Sequence, residues 1–413
     1  MNVRREPGST SSLLPVYMAS ILRNAASGLM TIALANYLLF ERSFDAGMTG
    51  IITAIFSLGF VIGTLLAGRI MERFDSEKTL VVVSFVILAC SLDYIVTFDA
   101  TVILVVFIAC RLGDGIATGV FWTVVQSYAK KLADVDQASR NRFTSMYNFS
   151  WNVGIIGGTV TGWMVTYMAR TNFVGFYLNL TMAIGQALII LMLLRDHART
   201  THVIRPGQET SAIVRSLSDA EKRTIGTLPV GLVFLALLTH SLTTGTMSIY
   251  LPAKILALAL PSYVPYMFFF EQSLMQTASM TIGGKIQEQR IFPAIMIGPL
   301  VIGCFWLLLG ASNGSLNMSI AILAQAGMQG ILYSAGMRFV INAAQASGKS
   351  SLFSVFQFIQ GLGRMGGPLI FGFLIEAGLD YAIMAIVTFD VLVFFVLVII
   401  SWRRRSSSQA SIS

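Results

Sequence analysis

Long apolar runs are the feature of this sequence that most constrains its fold. A helix that crosses a bilayer needs about 20 mostly apolar residues, and twelve runs of that kind follow one another along the 413 residues. They lie near 13–40, 46–68, 79–97, 101–127, 143–168, 173–194, 227–252, 262–283, 291–311, 316–340, 352–375 and 379–402. Charged residues make up only 12% of the chain, about half the share usual in soluble proteins. The runs lack the period-two alternation of membrane strands, so we expect an all-α membrane protein with twelve transmembrane helices.

The distribution of Lys and Arg predicts the orientation of these helices. If the N-terminus is inside, the cytoplasmic segments hold most of the basic residues, including the closing run 403–405. The external loops then hold only Arg42, Arg170 and Lys254. Because basic residues favour the cytoplasmic side, both termini are expected there. Topology therefore accounts for the net charge of +8, and no nucleic-acid partner is predicted.

The chain consists of two similar halves. A polar stretch from about 195 to 226 separates six apolar runs from six. The segment 141–158 aligns with 350–367, and each of the three glycines of the first segment falls on a glycine of the second. Such an offset of about half the chain length indicates duplication. The predicted organisation is an N-terminal six-helix bundle, a cytoplasmic central loop and a C-terminal six-helix bundle, at residues 1–195, 196–226 and 227–413.

A short charged loop also recurs at half the chain length. "GRIMER" begins at Gly68 after the second run, and "GKIQEQ" begins at Gly284 after the eighth. Together with "RLGDG" at 111–115, "GIIGGTVTG" at 154–162 and the duplication, this pattern resembles the major facilitator superfamily over nearly the whole chain. The first loop departs from the family pattern, which prefers Asp at Glu72. The resemblance implies two pseudo-symmetric six-helix bundles that rock about a central site.

The resemblance also implies a conformational latch in the repeated loop. In the family, this loop holds the cytoplasmic sides of the two bundles together in the outward-open state. The carboxylate of Glu72 would lie near the unpaired N–H groups of the helix end at Ser350 and Ser351. A solvated turn that follows the positive-inside rule is the alternative. The residues assigned to the latch are Gly68, Glu72, Arg73, Gly284 and Glu288.

Glycines at intervals of four residues predict close helix packing. Gly154, Gly158 and Gly162 lie on one face of the fifth span, where small residues allow helices to approach closely. The second half repeats the pattern with Gly363 and Gly367, followed by Pro368. Direct gating is the alternative role for these residues.

Charged side chains inside the spans are candidate functional residues, because each is costly in lipid. In the resembled fold, spans one, four, seven and ten line the cavity, and spans two, five, eight and eleven flank it. The residues that can face the cavity are Arg23, Arg111, Asp114, His240, Glu271 and Arg364. Asp93 and Asp390 lie on supporting helices, where we expect each to satisfy a neighbouring polar group.

Arginines are the candidate substrate-binding residues. Arg111 stays protonated, so it can hold an anion but cannot readily carry a proton. Asp114 follows at i+3, so the two side chains can meet, and a static ion pair is the alternative to a functional one. Arg23 and Arg364 would bring the cavity to three arginines against two carboxylates, which favours an anionic substrate.

Glu271 and Asp114 are the candidate proton-coupling residues. Glu271 lies in "FFFEQSL", and these apolar surroundings favour its neutral form, which suits proton uptake. A structural pair with Arg364 or another polar group is the alternative. His240 could titrate at physiological pH and contribute to substrate binding, or it could be a neutral histidine in the core.

The sequence therefore predicts a secondary active transporter of a small organic solute, anionic and proton-coupled, that works by rocker-switch alternating access. The alternatives are a proton-coupled exporter of amphipathic or drug-like compounds and a membrane sensor that transports nothing. We expect the protein to lie in the cell membrane, plasma or inner. We also expect a monomer, because the two bundles of one chain form a complete pathway.

No enzymatic activity, cofactor or metal is predicted. "AAQASGKSS" at 343–351 fits a loose phosphate-loop pattern, but it lacks the preceding strand and the nucleotide-binding domain that such a loop needs. The chain also shows no zinc-ligand spacing and no catalytic triad.

Overall fold

The computed structural model describes residues 14–96, 100–133, 137–200, 229–284, 286–347 and 351–410, which form twelve α-helices and no strand. In the first half these are α1 (Leu14–Asn36), α2 (Ala46–Arg73), α3 (Ser76–Val96), α4 (Ala100–Ala133), α5 (Gln137–Ala169) and α6 (Val174–Thr200). In the second half they are α7 (Val230–Ala257), α8 (Val264–Gly284), α9 (Glu288–Ala311), α10 (Ser315–Ser347), α11 (Ser351–Ala377) and α12 (Leu379–Ala410). The predicted all-α fold with twelve helices is confirmed.

Ten of the described helices are both long enough and apolar enough to cross a membrane. The other two, α5 and α8, have 33 and 21 residues and are more polar. In α8, Glu271, Gln272 and Gln276 account for much of this polarity. Polar residues in a span are tolerated where the helix faces protein or a water-filled space. We therefore expect the polar face of α8 to lie towards other helices or such a space.

Local sequence explains where several helices begin and end. Asp45 precedes α2, and its Oδ1 accepts a hydrogen bond of 2.6 Å from the backbone N–H of Met48. This capping bond satisfies one of the N–H groups that a helix start leaves free, and such a cap is typically worth about 1 kcal/mol. Arg170 follows α5 and Ala259 follows α7, and both adopt a left-handed conformation, with φ of 56° and 53°. This conformation commonly ends a helix.

The described residues form two compact units. The first contains residues 14–37 and 55–200, and the second contains residues 38–54 and 229–410. In the first unit α1 packs on α5 and α3 packs on α6, and in the second α7 packs on α11 and α9 packs on α12. The same pairing therefore recurs at an interval of six helices, as duplication would produce. Most of the predicted central loop of residues 196–226 lies outside the described residues, which resume at residue 229.

The glycines of α5 lie against the backbone of α1. A Cβ atom added at Gly154 would meet the carbonyl oxygen of Ile21, and one added at Gly158 would meet that of Ala25. Gly157 differs, because no atom lies within 4 Å of the corresponding position. Gly162 is buried. Two of the three glycines thus leave no room for a side chain.

The same close approach occurs in the second unit, between α11 and α7. A Cβ atom at Gly363 would meet the side chain of Ser241, and one at Gly367 would meet the backbone of Gly245 and Thr246. The carbonyl oxygen of Pro368 occupies the corresponding position beside Gly50, in the part of α2 that belongs to the second unit. The glycine motif therefore brings backbones into direct contact in both units.

Candidate functional site

Helices α1 and α4 bring three charged side chains together inside the first unit. Arg23 lies on α1, and Arg111 and Asp114 lie one turn apart on α4. Arg23 Nη2 donates to Asp114 Oδ1 at 2.6 Å, whereas Arg111 Nη1 is 4.0 Å from Asp114 Oδ2. Each residue is at most 3% exposed. Arg23 is therefore the direct partner of Asp114, and the i+3 neighbour Arg111 is at the outer limit of an ion pair.

Further contacts hold both guanidinium groups of this cluster in place. Arg23 Nη2 also donates to the hydroxyl of Thr118, and that hydroxyl donates to the backbone carbonyl of Asp114 at 2.6 Å. The guanidinium carbon of Arg111 lies 4.6 Å from the ring centroid of Phe56, within the range of a cation–π interaction. Two guanidinium groups thus share one carboxylate, and the Nε atom of each has no hydrogen-bond partner among the described residues.

The two aspartates assigned to supporting helices behave differently. Asp93 Oδ2 accepts a hydrogen bond of 2.7 Å from Cys110 Sγ, so it does satisfy a neighbouring polar group. The same expectation for Asp390 is wrong, because neither of its carboxyl oxygens has a partner among the described residues and the residue is 0% exposed. It packs against Gly303 of α9, which offers no side-chain donor. An unpaired polar group is costly in such a place, so Asp390 contributes no stabilising contact there.

Arg364 lies at the middle of the 27-residue helix α11, and its environment differs from that of Arg23 and Arg111. Its backbone packs against Gly245 of α7, yet the residue is exposed. Within the described part of the chain, its guanidinium makes no hydrogen bond or ion pair. A charged group at this depth is expected to face a water-filled space and not lipid. Arg364 is thus a positive charge that no carboxylate of the described residues neutralises.

Three further helices place polar and aromatic side chains close to Arg364. His240 of α7 is 1% exposed, and its Nε2 atom lies 3.0 Å from Nε2 of Gln276 on α8. The ring of Tyr333, on α10, has its centroid 5.2 Å from that of His240. Arg364 is close enough to His240 and Tyr333 to interact electrostatically with both. The structure therefore brings two predicted substrate-binding residues, His240 and Arg364, into one cluster in the second unit.

Sequence reasoning missed several members of this cluster. Gln276, Tyr333 and Gln360 carry no formal charge, so a search for charges inside spans does not find them. One available signal was the spacing of Gln360 and Arg364, which lie one turn apart on α11. Another was the glutamine content of the unusually polar helix α8.

Glu271 lies on α8 apart from Arg364. Its Oε1 atom accepts a hydrogen bond of 3.2 Å from the hydroxyl of Ser319 on α10, and its Oε2 atom has no partner among the described residues. The residue is half-buried. It lies about 10 Å along the helix axis from Val264, the first residue of α8. The alternative for Glu271 was a structural pair with Arg364 or another polar group. The pair with Arg364 is not formed, and Ser319 is the other polar group that Glu271 contacts.

The structure describes only part of the predicted latch. Gly68, Glu72 and Arg73 are exposed near the end of α2, and no atom lies within 4 Å of a Cβ position at Gly68. Gly284 ends α8 and Glu288 begins α9, but the surroundings of Gly284 and the side chain of Glu288 lie outside the described residues. The helix end at Ser350 also lies outside them, so the latch stays a prediction.

Comparison with known sequences identifies a family and a relative. The family model of the Major Facilitator Superfamily matches residues 16–368. The proton-coupled antiporter flippase LtaA of Staphylococcus aureus (strain USA300) is 25% identical over 361 residues. That alignment covers 84% of this chain and 85% of the relative, so the similarity extends over both halves.

Solved structures share the fold at low sequence identity. A crystal structure of the peptide transporter POT in complex with sulfate has a TM-score of 0.73 at 12% identity, and the match covers 98% of this chain and 96% of that chain. A bacterial homologue of the human lysosomal transporter Spinster, inward-facing and unoccupied, has a TM-score of 0.72 at 13% identity, with coverage of 96% and 97%. These similarities concern architecture.

Proposed function

The chain belongs to the major facilitator superfamily, and from that premise we propose that it is a secondary active transporter of a small organic anion, coupled to protons. Membership makes it a multi-pass cell-membrane transporter and not an enzyme. The bodies that rock during alternating access are the two halves, residues 1–195 and 227–413, joined by residues 196–226. One chain carries both halves, so a monomer suffices.

The proposal of an anionic substrate rests on the guanidinium of Arg364, which has no partner among the described residues. Arg23 and Arg111 already have Asp114 close by, and all three are buried. Arg364 is exposed, and within the described residues no carboxylate neutralises it. A planar guanidinium matches the geometry of a carboxylate and can bind it through two parallel hydrogen bonds. We therefore assign the substrate anion to Arg364, and we assign Arg23 and Arg111 to the control of Asp114.

Arg364→Gln is expected to abolish stabilisation of the protein by small organic anions. A ligand at one hundred times its dissociation constant stabilises the folded state by about 2.7 kcal/mol, and the variant should lose nearly all of this. The measurement is thermal unfolding of detergent-purified protein with a panel of organic anions, neutral solutes and lipophilic cations. Arg290→Gln is the matched control, because it removes an exposed arginine of the same unit and should respond to anions as wild type does.

The outcomes of this measurement separate the candidate functions. Anions that stabilise wild type and Arg290→Gln but not Arg364→Gln support anion transport. Equal stabilisation of all three proteins by anions would remove Arg364 from the site. Stabilisation by lipophilic amphiphiles alone would instead favour the second candidate, described below.

The proton-coupling roles rest on two carboxylates in different settings. Asp114 is shared between Arg23 and Arg111, so an added proton would weaken both contacts, including the side-chain link between α1 and α4. Glu271 keeps one oxygen without a partner and is half-buried. Partial burial in apolar surroundings, with one weak donor, permits a change of protonation during transport. We propose that Glu271 takes up the coupling proton and that Asp114 links protonation to helix movement.

Glu271→Gln is expected to remove the response of transport to a pH gradient. The amide keeps the hydrogen bond with Ser319 but cannot exchange a proton, so gradient-driven uptake into proteoliposomes should fall to the level measured without a gradient. Glu376→Gln, at the exposed end of α11, should keep the full response. Uptake that ignores the gradient in wild type, or that is unchanged in Glu271→Gln, contradicts the proton role of Glu271.

A second candidate is proton-coupled antiport or flipping of an amphipathic compound. The observation that favours it is the 25% identity with the proton-coupled antiporter flippase, over most of both chains. Its test is the movement of a fluorescent amphiphile between the leaflets of proteoliposomes. Movement that depends on a pH gradient, with no uptake of small anions, would establish this function in place of the first. Absence of any solute or amphiphile movement would indicate a non-transporting sensor.

A further inference from the structure

Helices α7, α9 and α12 border a cavity at the end where α7 and α9 finish and α12 begins. The cavity has a volume of about 120 Å³, and Lys254, Gly310 and Asp380 are among the residues that line it. A water molecule takes up about 30 Å³, so the space can hold roughly four water molecules or one very small organic molecule. The distribution of basic residues predicts that this end is external. Arg364 does not line the cavity, which is therefore separate from the site described above.

Lys254 brings a buried positive charge to the wall of this cavity. The residue is 3% exposed, and its Nζ atom donates to the backbone carbonyl oxygens of Leu309 and Gly310, at 2.8 Å for Gly310. Carbonyl groups at the C-terminal end of a helix favour a cation, but they carry no full negative charge. An ammonium group has three N–H donors, so one donor of Lys254 remains for a further partner.

Asp380 brings a negative charge to the same cavity. It lies in the first turn of α12 and is exposed. Lys254 and Asp380 are close enough to interact electrostatically. Among the described residues, however, none of the ion pairs includes either of them. Two opposite charges therefore line one cavity without contacting each other.

Neutral polar groups complete the lining. Tyr250 is 1% exposed, and its ring packs edge to face with that of Trp306, with centroids 5.3 Å apart. The same ring lies 6.0 Å from Lys254 Nζ, at the outer limit of a cation–π interaction. Asn313 follows the end of α9 and is exposed. A phenol and an amide can each donate and accept hydrogen bonds, so the lining can also contact uncharged parts of a ligand.

The two separated charges indicate the chemistry of a ligand for this cavity. A simple anion would be attracted by Lys254 but repelled by Asp380, and a simple cation would meet the reverse. A zwitterion places one charge against each residue, and hydrogen bonds between charged groups are stronger than neutral ones. The small volume admits glycine or alanine and excludes an amino acid with a large side chain.

We propose that this cavity binds a small zwitterionic amino acid, with its carboxylate on Lys254 and its ammonium group on Asp380. The site goes beyond the proposed transport function, because it lies apart from Arg364 and needs no substrate there. A bound amino acid would connect α7 and α9 to the start of α12, three helix ends of the second unit.

Binding of radiolabelled glycine to the full-length protein in detergent tests the proposal. Three competitors dissect the ligand: acetate lacks the ammonium group, methylamine lacks the carboxylate, and leucine has both charges but a larger side chain. Loss of one hydrogen-bonded contact predicts that acetate and methylamine bind about twofold to tenfold more weakly than glycine. Leucine should not compete. Absence of glycine binding, or equal binding of glycine and acetate, would overturn the proposal and indicate a cavity that holds only water.

Asp380→Asn assigns the ammonium group to its position. The variant should bind glycine more weakly than wild type does, while its affinity for acetate stays at the wild-type value or increases. Glu376→Gln is the matched control, because it removes another exposed carboxylate of the same unit that does not line the cavity, and it should keep the preference for glycine. An unchanged preference in Asp380→Asn would contradict the assignment.

Two further variants test the position of the carboxylate. Lys254→Met should lose binding of both glycine and acetate. It also loses the bonds to α9, so its unfolding temperature reports whether it folds, and Asp380→Asn with the ligand series decides the proposal if it does not. Arg364→Gln should bind glycine as wild type does. Loss of glycine binding in Arg364→Gln would place glycine at Arg364, which overturns this inference and leaves anion transport standing.

Discussion

Asp114→Ala is expected to lower the free energy of unfolding by about 3–5 kcal/mol, the usual cost of removing one partner from a buried ion pair. The cost arises because Arg23 and Arg111 would stay at most 3% exposed with no carboxylate to compensate them. The hydrogen bond from Arg23 to Asp114, at 2.6 Å, would also be lost. Unfolding in detergent, followed by circular dichroism against temperature and denaturant, measures the change.

Two further variants show whether burial of charge is the cause. Asp114→Asn keeps a side-chain acceptor for Arg23 and should lose less stability than Asp114→Ala. Lys78→Ala breaks the ion pair in which Lys78 Nζ lies 3.0 Å from Asp75 Oδ2, with side chains that are 73% and 66% exposed. Exposed pairs of this kind contribute little to the free energy of unfolding. If Asp114→Ala and Lys78→Ala have equally small effects, the cluster is solvated and the buried-pair description is wrong.

Gly158→Ala is expected to destabilise the protein by about 1–3 kcal/mol, the usual cost of overpacking. An added methyl group would overlap the carbonyl oxygen and Cα of Ala25, and backbone atoms cannot move aside as a flexible side chain can. Helices α1 and α5 would therefore have to separate. Unfolding temperature and transport rate should fall together if this contact is needed for the native packing.

The adjacent glycine provides a matched control for this substitution. Gly157 has no atom within 4 Å of its Cβ position, so Gly157→Ala adds a methyl group without a clash. Alanine has a higher helix propensity than glycine by about 1 kcal/mol, and the control should be as stable as wild type or more stable. Equal destabilisation by both substitutions would contradict close packing on α1 and indicate a general intolerance of the α5 glycines.

Much of the fold could be predicted because the membrane leaves few choices. A bilayer demands long apolar helices, so the number of helices could be predicted from the apolar runs, and helix packing by Gly154 and Gly158 could be predicted from their spacing. Local rules also place Arg111 and Asp114 on one face of α4. These rules cannot specify how α4 is rotated relative to α1. That rotation makes Arg23 the ion-pair partner of Asp114, although the two residues are 91 positions apart in the sequence.

The same limit applies to the C-terminal site. The positions of His240, Glu271 and Arg364 could be predicted as charges or titratable groups within spans. Their partners could not, because the contacts of His240 with Gln276, and of Glu271 with Ser319, join different helices. Asp390 is limited in the same way. Its carboxyl group has no partner because Gly303 of α9 faces it, and the sequence of its own helix, α12, does not show which residue lies opposite.

The central position of Arg364 along α11 has an electrical consequence. An anion that reaches it from either side has crossed roughly half of the membrane's electric field, and a full crossing is worth about 2.3 kcal/mol per elementary charge for each 100 mV. Occupancy of the site would then change by roughly sevenfold per 100 mV, because about 1.4 kcal/mol is a tenfold change in affinity. The membrane voltage would therefore act on substrate binding itself, and the chain would respond to the energetic state of the cell even at constant pH.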